Sequence, residues 1–87
     1  MKSSDITPPR LGVLGQYLEA LPPLIARKRV EHFLGGIISR KTLSNDDAAG
    51  CGPRVRLKIG EDVAYPREYL LDYLEHKGVQ RIVTPEL

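Results

Sequence analysis

Residues 39–60 read SRKTLSNDDAAGCGPRVRLKIG and contain the helix and the strand that decide the fold. Ser39 is a favourable N-cap residue, so a helix should begin directly after it. Ile38 and Leu43 have the spacing of a hydrophobic staple, which fixes how the chain enters a helix. Gly50 is typical of the position just after a helix end. The stretch therefore opens with a helix that ends by Gly50.

Apolar and basic residues alternate in the second half of this stretch. The apolar positions are Val55, Leu57 and Ile59, and the basic positions are Arg54, Arg56 and Lys58. A period of two predicts a half-buried strand, with the apolar side chains inward and the basic side chains sharing the outer face. Residues 60–62 then supply a hairpin turn, and residues 63–65 supply the returning strand.

Helical patterns flank this central unit on both sides. A helix is predicted over residues 27–34, with Val30, Phe33 and Leu34 as its apolar stripe, and the glycines at 35 and 36 end it. Pro66 suits the start of a closing helix and Gly78 suits its end. The apolar face of that helix comprises Tyr69, Leu70, Tyr73 and Leu74. Helix, glycine corner, helix, basic hairpin and closing helix predict a small α+β domain, mostly α, of the winged helix-turn-helix type.

Two tails flank the predicted domain, which spans residues 24–78. Residues 1–23 form an N-terminal tail with a short helix, whose apolar stripe consists of Leu11, Leu14, Leu18 and Leu21. This stripe either covers the domain core or meets a second copy, in a homodimer or a cooperative array. Residues 79–87 form a C-terminal tail, with a short strand expected near residues 82–83.

Composition limits the classes of protein to consider. The 87 residues suffice for one small domain, and the single cysteine, Cys51, cannot form an internal disulfide. No apolar run approaches the roughly 20 residues of a membrane span, and no signal peptide is recognisable, so a cytoplasmic location is expected. Residues 24–60 hold eight basic and three acidic residues, whereas the remainder holds five and eight. This asymmetry suits either one basic face or ordinary surface charge.

The second helix carries side chains that can read DNA from one arc of a helical wheel. Arg40 and Lys41 can donate to guanine O6 and N7, and Asn45 can pair with adenine N6 and N7. The strand's basic side chains could reach phosphates, and the first helix of this motif commonly crosses the DNA backbone. The candidate DNA-binding residues are Arg27, Lys28, Arg40, Lys41, Ser44, Asn45, Arg54, Arg56 and Lys58. The alternative is a solvated charged face on an ordinary small domain.

Two aspartates interrupt this basic helix. Asp47 lies just outside the arc, next to Arg40 on the wheel. There it could orient that arginine, accept from cytosine N4 or discourage indiscriminate phosphate binding. Asp46 lies on the opposite face, which should pack inward, and a partly buried carboxylate needs a donor. An arginine, a tyrosine hydroxyl or backbone amides could serve.

Taken together, these residues resemble a known family. The pattern comprises residues 24–30, Leu34-Gly35, Ser39, Thr42-Leu43, Asn45, Gly50, Gly52-Pro53, Ile59-Gly60, Tyr65-Pro66 and residues 70–74. Over about residues 24–76 it is similar to the small MerR-like winged-helix domains of phage excisionases and AlpA-type prophage regulators. The resemblance implies that the second helix enters the major groove while the hairpin wing touches the flanking backbone or minor groove. Asp46 departs from the family, which usually has an apolar residue there.

The resemblance implies sequence-specific binding of double-stranded DNA at the nucleoid. The chain would act as an excisionase-like architectural factor or a small transcriptional regulator of a prophage or mobile element. A recombinase or RNA polymerase would be a further partner. The alternative is a protein-interaction module that keeps the winged-helix scaffold without DNA binding. His32, His76 and Cys51 lack zinc spacing, and no catalytic triad or phosphate loop stands out, so neither an enzyme nor a cofactor is expected.

Overall fold

The computed structural model describes residues 8–85, which fold into a small α+β domain. Residues 1–7 of the expected N-terminal tail and residues 86–87 of the expected C-terminal tail lie outside the described residues. The helical segments are the 3₁₀ helices η1 (Val13–Ala20) and η2 (Arg27–Arg29) and the α-helices α1 (Val30–Phe33), α2 (Arg40–Ala49) and α3 (Arg67–Lys77). Because η2 leads directly into α1, the two together correspond to the helix expected at residues 27–34.

One antiparallel sheet is present in the described part of the chain. Its strands are β1 (Leu24–Ala26), β2 (Leu57–Ile59) and β3 (Asp62–Pro66). β3 is the central strand, with Tyr65 opposite Ile25 of β1 and Val63 opposite Lys58 of β2. β1 was not predicted, because three residues are too few to show a period. It becomes a strand because β3 offers it a row of backbone partners.

The helix α2 agrees with the sequence prediction at both ends. The Ser39 hydroxyl accepts a hydrogen bond from the Thr42 backbone N–H at 3.1 Å, which satisfies one of the free donors of the first turn. Gly50 ends the helix with φ +83°, a left-handed conformation that glycine adopts readily. Ile38 and Leu43 are both buried, as a hydrophobic staple requires. The cap, the staple and the end of α2 are therefore confirmed.

The prediction of a half-buried strand in the alternating residues 54–59 is wrong. β2 contains only three residues, and all of them are exposed. Leu57 is 41% exposed and Ile59 is 55% exposed. β2 packs chiefly against its neighbour β3, and no helix of the described residues covers its side chains as α1 packs on β1, so its apolar side chains stay exposed. The alternation correctly indicated a strand but not what covers it.

The N-terminal helix is a 3₁₀ helix that packs on the domain. Leu21 is buried, and the half-buried Leu11, Leu14 and Leu18 pack against the core, so the stripe covers the core, the first of the two arrangements considered above. The Leu14 backbone N–H donates to the Glu75 carboxylate of α3 at 2.8 Å. A Cβ at Gly12 would lie 2.9 Å from the same carboxylate, so glycine permits this close approach.

The closing helix α3 supplies much of the core. It begins directly after Pro66, and Gly78 follows its last residue with φ +106°. Of the predicted apolar face, Leu70, Tyr73 and Leu74 are buried and Tyr69 is half-buried. The core consists of Leu21, Ile25, Val30, Leu34, Ile38, Leu43, Tyr65, Leu70, Leu71, Tyr73 and Leu74. The strand expected near residues 82–83 is absent within residues 8–85, because no neighbouring strand lies beside that segment.

Candidate functional site

An open cleft of about 380 Å³ brings together residues from three separate parts of the chain. η2 forms one wall, the exposed face of α2 forms the second, and the turn between β2 and β3 forms the third. The lining residues are Arg27, Lys28, Arg40, Lys41, Ser44, Asn45, Glu61, Asp62 and Val63. Six of the nine predicted DNA-contacting residues therefore lie around one cleft.

The charges of the cleft are unevenly distributed. The Arg40 and Lys41 side chains are exposed, and within residues 8–85 neither forms an ion pair. Lys28 pairs with Asp62 across the cleft, with 3.2 Å between Nζ and Oδ2. Both side chains are more than half exposed, so water competes for this pair and it holds the two walls only weakly. The walls from η2 and α2 are thus basic, and the hairpin turn is acidic.

Glu31 affects how the start of α2 can be used. Its carboxylate accepts a hydrogen bond from the Arg40 backbone N–H at 3.1 Å. This contact places a negative charge at a helix N-terminus, where the helix dipole favours it. The first backbone donor of α2 is therefore already satisfied within the domain. The Arg40 and Thr42 backbone N–H groups thus both have partners within the domain.

Asp47 lies in the protein interior beneath the cleft and not beside Arg40, so the wheel-based prediction is wrong. Its side chain is only 5% exposed. Asp47 Oδ2 accepts from the Arg27 guanidinium at 2.6 Å and from the Tyr65 hydroxyl at 2.6 Å. Arg27 Nε also donates to the Tyr65 hydroxyl oxygen at 2.9 Å. The wheel gave the direction of Asp47 from the helix axis but could not show that β3 and η2 bring a tyrosine and an arginine there.

The environment of this triad shifts its proton affinities. Burial, followed by the hydrogen bond to Asp47, raises the pKa of Tyr65 to about 12. The hydrogen bond with Tyr65, and then the one with Asp47, raises the pKa of Arg27 against the opposing effect of burial. The hydroxyl therefore stays protonated and the guanidinium stays charged at neutral pH, which keeps the three contacts intact.

The second oxygen of Asp47 faces the connection between α2 and β2. Oδ1 has no hydrogen-bond partner among the described residues, although Arg56 Nη1 approaches it to 3.5 Å. A Cβ at Gly52 would lie 2.0 Å from Oδ1, so any other residue at this position would displace the carboxylate. Gly52 is therefore required by the close approach of Asp47, and Arg56 supplies a charge across a partly exposed gap.

Asp46 has one of the three kinds of donor that the sequence suggested. The Tyr73 hydroxyl of α3 donates a hydrogen bond to Asp46 Oδ2, and Lys77 Nζ lies 3.3 Å from the same oxygen. The hydrogen bond from Tyr73 and the charge of Lys77 lower the pKa of Asp46. Burial, followed by the bond to Asp46, raises the pKa of Tyr73. Asp46 thus connects α2 to α3 by a polar contact.

The three basic residues of the predicted wing do not share one face. Arg54 Nε lies 3.7 Å from the Asp72 carboxylate of α3, and the Arg54 guanidinium stands 5.5 Å from the centre of the Tyr69 ring. Arg56 points to Asp47, as described above. Lys58 alone of the three lies in β2, where its side chain is exposed. The chain is irregular before Leu57, so alternation there carries no strand geometry.

Two features of the site were missed in the sequence. Glu61 and Asp62 carry only a hairpin signal in the sequence, yet they line the cleft. The second is the triad of Arg27, Asp47 and Tyr65, which joins residues far apart in the sequence. A buried strand tyrosine and an aspartate on a helix were both visible, but no local signal pairs them.

Comparison with models of known protein families gives no match to this chain, and comparison with curated proteins gives none at a significant level. Within residues 8–85, no helix has the length and apolar character needed to cross a membrane. The same residues contain no cluster of three or more His, Cys, Asp or Glu side chains suited to holding a metal ion.

Proposed function

We propose that the protein binds double-stranded DNA sequence-specifically, with α2 as the recognition helix of a winged helix-turn-helix and the β2–β3 hairpin as the wing. The observation that carries the proposal is the cleft, in which η2 and α2 bring basic side chains and the Asn45 amide together, opposite the acidic hairpin turn. Such clustering on one face is the usual electrostatic footprint of a nucleic-acid-binding domain. α1 and α2 are joined by a short connection with two glycines at positive φ, and the turn of this motif often contains glycine.

In this proposal α2 enters the major groove with its exposed face. Arg40 and Lys41 donate to guanine or to phosphate, and Asn45 pairs with adenine. Ser44 is small enough to let the helix approach closely. Lys28 contacts the phosphate backbone beside the groove, and Lys58 of β2 contacts the flanking backbone. Arg27 contributes charge while Asp47 and Tyr65 hold its position.

The acidic hairpin turn limits where DNA can bind in this proposal. Asp62 pairs with Lys28 in the free protein, and a phosphate can replace this exposed partner at little cost. Glu61 and Asp62 repel phosphates that approach the turn itself. Binding is therefore directed to η2, α2 and Lys58 of β2 and away from the turn itself, which favours one orientation of the domain on the duplex. This geometry suits an excisionase-like architectural factor or a small transcriptional regulator at the nucleoid, with a recombinase or RNA polymerase as a further partner.

A second candidate function is a protein-interaction module that uses the same scaffold without DNA. The observation in its favour is an apolar groove of about 670 Å³ on another part of the domain, described in the next subsection. It would coexist with the basic cleft in a regulator that also recruits a partner protein. If the protein binds no duplex DNA, protein interaction becomes the main candidate function.

The proposal is tested by titrating the protein into fluorescent duplex DNA at several salt concentrations. If three to five phosphates are contacted, log K should fall against log salt with a slope of about −3 to −5. Arg40→Ala should weaken binding, whereas Arg10→Ala removes the same charge from an exposed residue outside the cleft and should have a much smaller effect. A folded protein that binds no duplex at low salt would refute the proposal.

Sequence reading needs a second experiment. Selection from a random duplex library first identifies the preferred site. Asn45→Ala should then cost about 1–3 kcal/mol on that site and much less on a scrambled duplex. An unchanged ratio of the two affinities would mean that α2 does not read bases, and the protein would bind the DNA backbone alone.

A further inference from the structure

A large apolar groove lies between η1, the chain after α1 and the end of α3. Its volume of about 670 Å³ exceeds that of the basic cleft. The lining side chains include Leu14, Tyr17, Phe33, Ile37 and Leu74. Tyr17 is 54% exposed and Ile37 is 74% exposed, although their neighbours in the groove pack on the core. Exposed apolar surface that is concentrated in one concave site is typical of a binding surface.

The C-terminal segment, residues 79–85, starts at the rim of this groove. Val79 lines the groove, but Ile82 and Val83 are 78% and 72% exposed. Residues 79–83 read VQRIV, and they form no helix or strand. The chain therefore presents an apolar groove and, next to it, an apolar segment whose side chains lie outside that groove.

The segment is poorly suited to fill the groove of its own chain. Val79 already occupies the rim, so Ile82 would have to enter through a reversal of direction. A tight reversal takes four residues, and glycine, proline, asparagine, aspartate or serine usually forms it. VQRIV contains none of these, and its β-branched residues favour an extended chain instead. An extended segment leads the chain at residues 82–83 away from the groove of its own domain.

We infer that the groove receives residues 79–83 of a second copy of this chain. A two-fold arrangement lets each copy insert its segment into the groove of the other, so the same two surfaces meet twice. Ile82 and Val83 of each copy become buried against the exposed Tyr17 and Ile37 side chains of the other. This surface differs from the leucine stripe of η1, which packs on the core of its own domain.

The dimer should be weak. Each copy buries few additional aliphatic side chains, and their burial must offset the loss of translational and rotational freedom on association. A dissociation constant on the order of 0.1 mM is expected. The inference does not rest on DNA binding, because it concerns the protein alone, and its test contains no DNA.

The test is sedimentation equilibrium of the full chain over concentrations that bracket this value. Ile82→Ser combined with Val83→Ser, the segment variant, removes the apolar side chains that are inserted. Ile37→Ser removes one apolar side chain from the groove. All three side chains are more than 70% exposed, so circular dichroism should show the fold retained. Each variant should raise the dissociation constant about tenfold or more. Ile59→Ser, an equally apolar change at an exposed position of β2, should leave it unchanged.

Mixing the two kinds of variant separates segment insertion from other contacts. The intact segment of Ile37→Ser can enter the intact groove of the segment variant, so the heterodimer keeps one of the two insertions, whereas both insertions are damaged in either homodimer. The mixture should therefore associate more tightly than either variant alone and more weakly than the wild-type chain. A wild-type chain that stays monomeric throughout would overturn the inference. So would a dimer that the segment variant leaves intact, which would mean that the grooves face each other directly, or one that Ile59→Ser weakens equally.

Discussion

Replacing Asp47 by alanine should destabilise the domain severely. The change leaves the Arg27 guanidinium and the Tyr65 hydroxyl without their shared acceptor, in a site where the Asp47 side chain is 5% exposed. Removing one partner of a buried ion pair costs about 3–5 kcal/mol. The Arg27 side chain is 25% exposed, so water can replace part of the lost interaction and about 2–4 kcal/mol is expected. A chain of 87 residues has a total stability of about 4–13 kcal/mol, so this loss is a large fraction of it.

The assays are urea unfolding and thermal unfolding, both followed by circular dichroism. A loss of this size corresponds to a fall in Tm of roughly 8–30 °C for so small a domain. Asp62→Ala is the matched control, because it removes an aspartate whose ion pair is exposed, and it should cost less than about 1 kcal/mol. If Asp47→Ala costs no more than the control, the triad does not support the fold as argued.

A double-mutant cycle tests whether the triad acts as one unit. Tyr65→Phe alone should cost about 1.5–3 kcal/mol, since it removes a hydrogen bond to a charged group and keeps the ring in the core. In the Asp47→Ala background the same change should cost clearly less, because the hydroxyl has already lost its acceptor. Additive costs would show that the hydroxyl and the carboxylate contribute independently, contrary to the geometry.

Three further outcomes are expected. Burial raises the pKa of Tyr65 to about 12, whereas the unfolded-state pKa is about 10. The Tyr65 contribution to stability is therefore full below about pH 10 and falls as pH rises between these two values. This fall should be absent from the stability–pH profile of Tyr65→Phe. The hydrogen bond from Tyr73 lowers the pKa of Asp46. The contribution of Asp46 to stability is therefore present above about pH 4 and is lost as pH falls below that value. Asp46→Asn should reduce the pH dependence of stability in this acid range. Ser39→Ala should cost about 1 kcal/mol in urea unfolding through the lost cap, whereas Ser44→Ala on the exposed face of the same helix should be nearly neutral.

The parts of the fold that were predictable from the sequence depend on local signals. Ser39, Leu43 and Gly50 act within one helix, so the position of α2 follows from neighbouring residues. The formation of β1 and the exposure of β2 depend instead on which strands pair and which elements pack on the sheet. Three residues are too few to give a sequence signal for either. A short strand is defined by its partner more than by its own side chains.

The candidate site shows the same division. The exposed arc of α2 was predictable, because a helical wheel needs only the helix, and its four proposed reading residues do line the cleft. The sequence does not predict the surroundings of Arg54 and Arg56, because their alternation with apolar residues lies before β2 and not within it. Asp47 was misplaced because its partners, Arg27 and Tyr65, come from distant segments.

The two aspartates of α2 explain how so polar a helix stays on the domain. Leu43 and Asp47 are its only buried residues, so apolar burial alone holds it weakly. Asp46 ties one side of the helix to Tyr73 of α3, and Asp47 ties the other side to Tyr65 of β3 and to Arg27. Because hydrogen bonds are directional, two such anchors fix the rotation of the helix as well as its position. The same Asp47 that seats α2 also holds Arg27, a cation of the cleft, so the orientation of the proposed reading face and the charge beside it depend on one buried carboxylate.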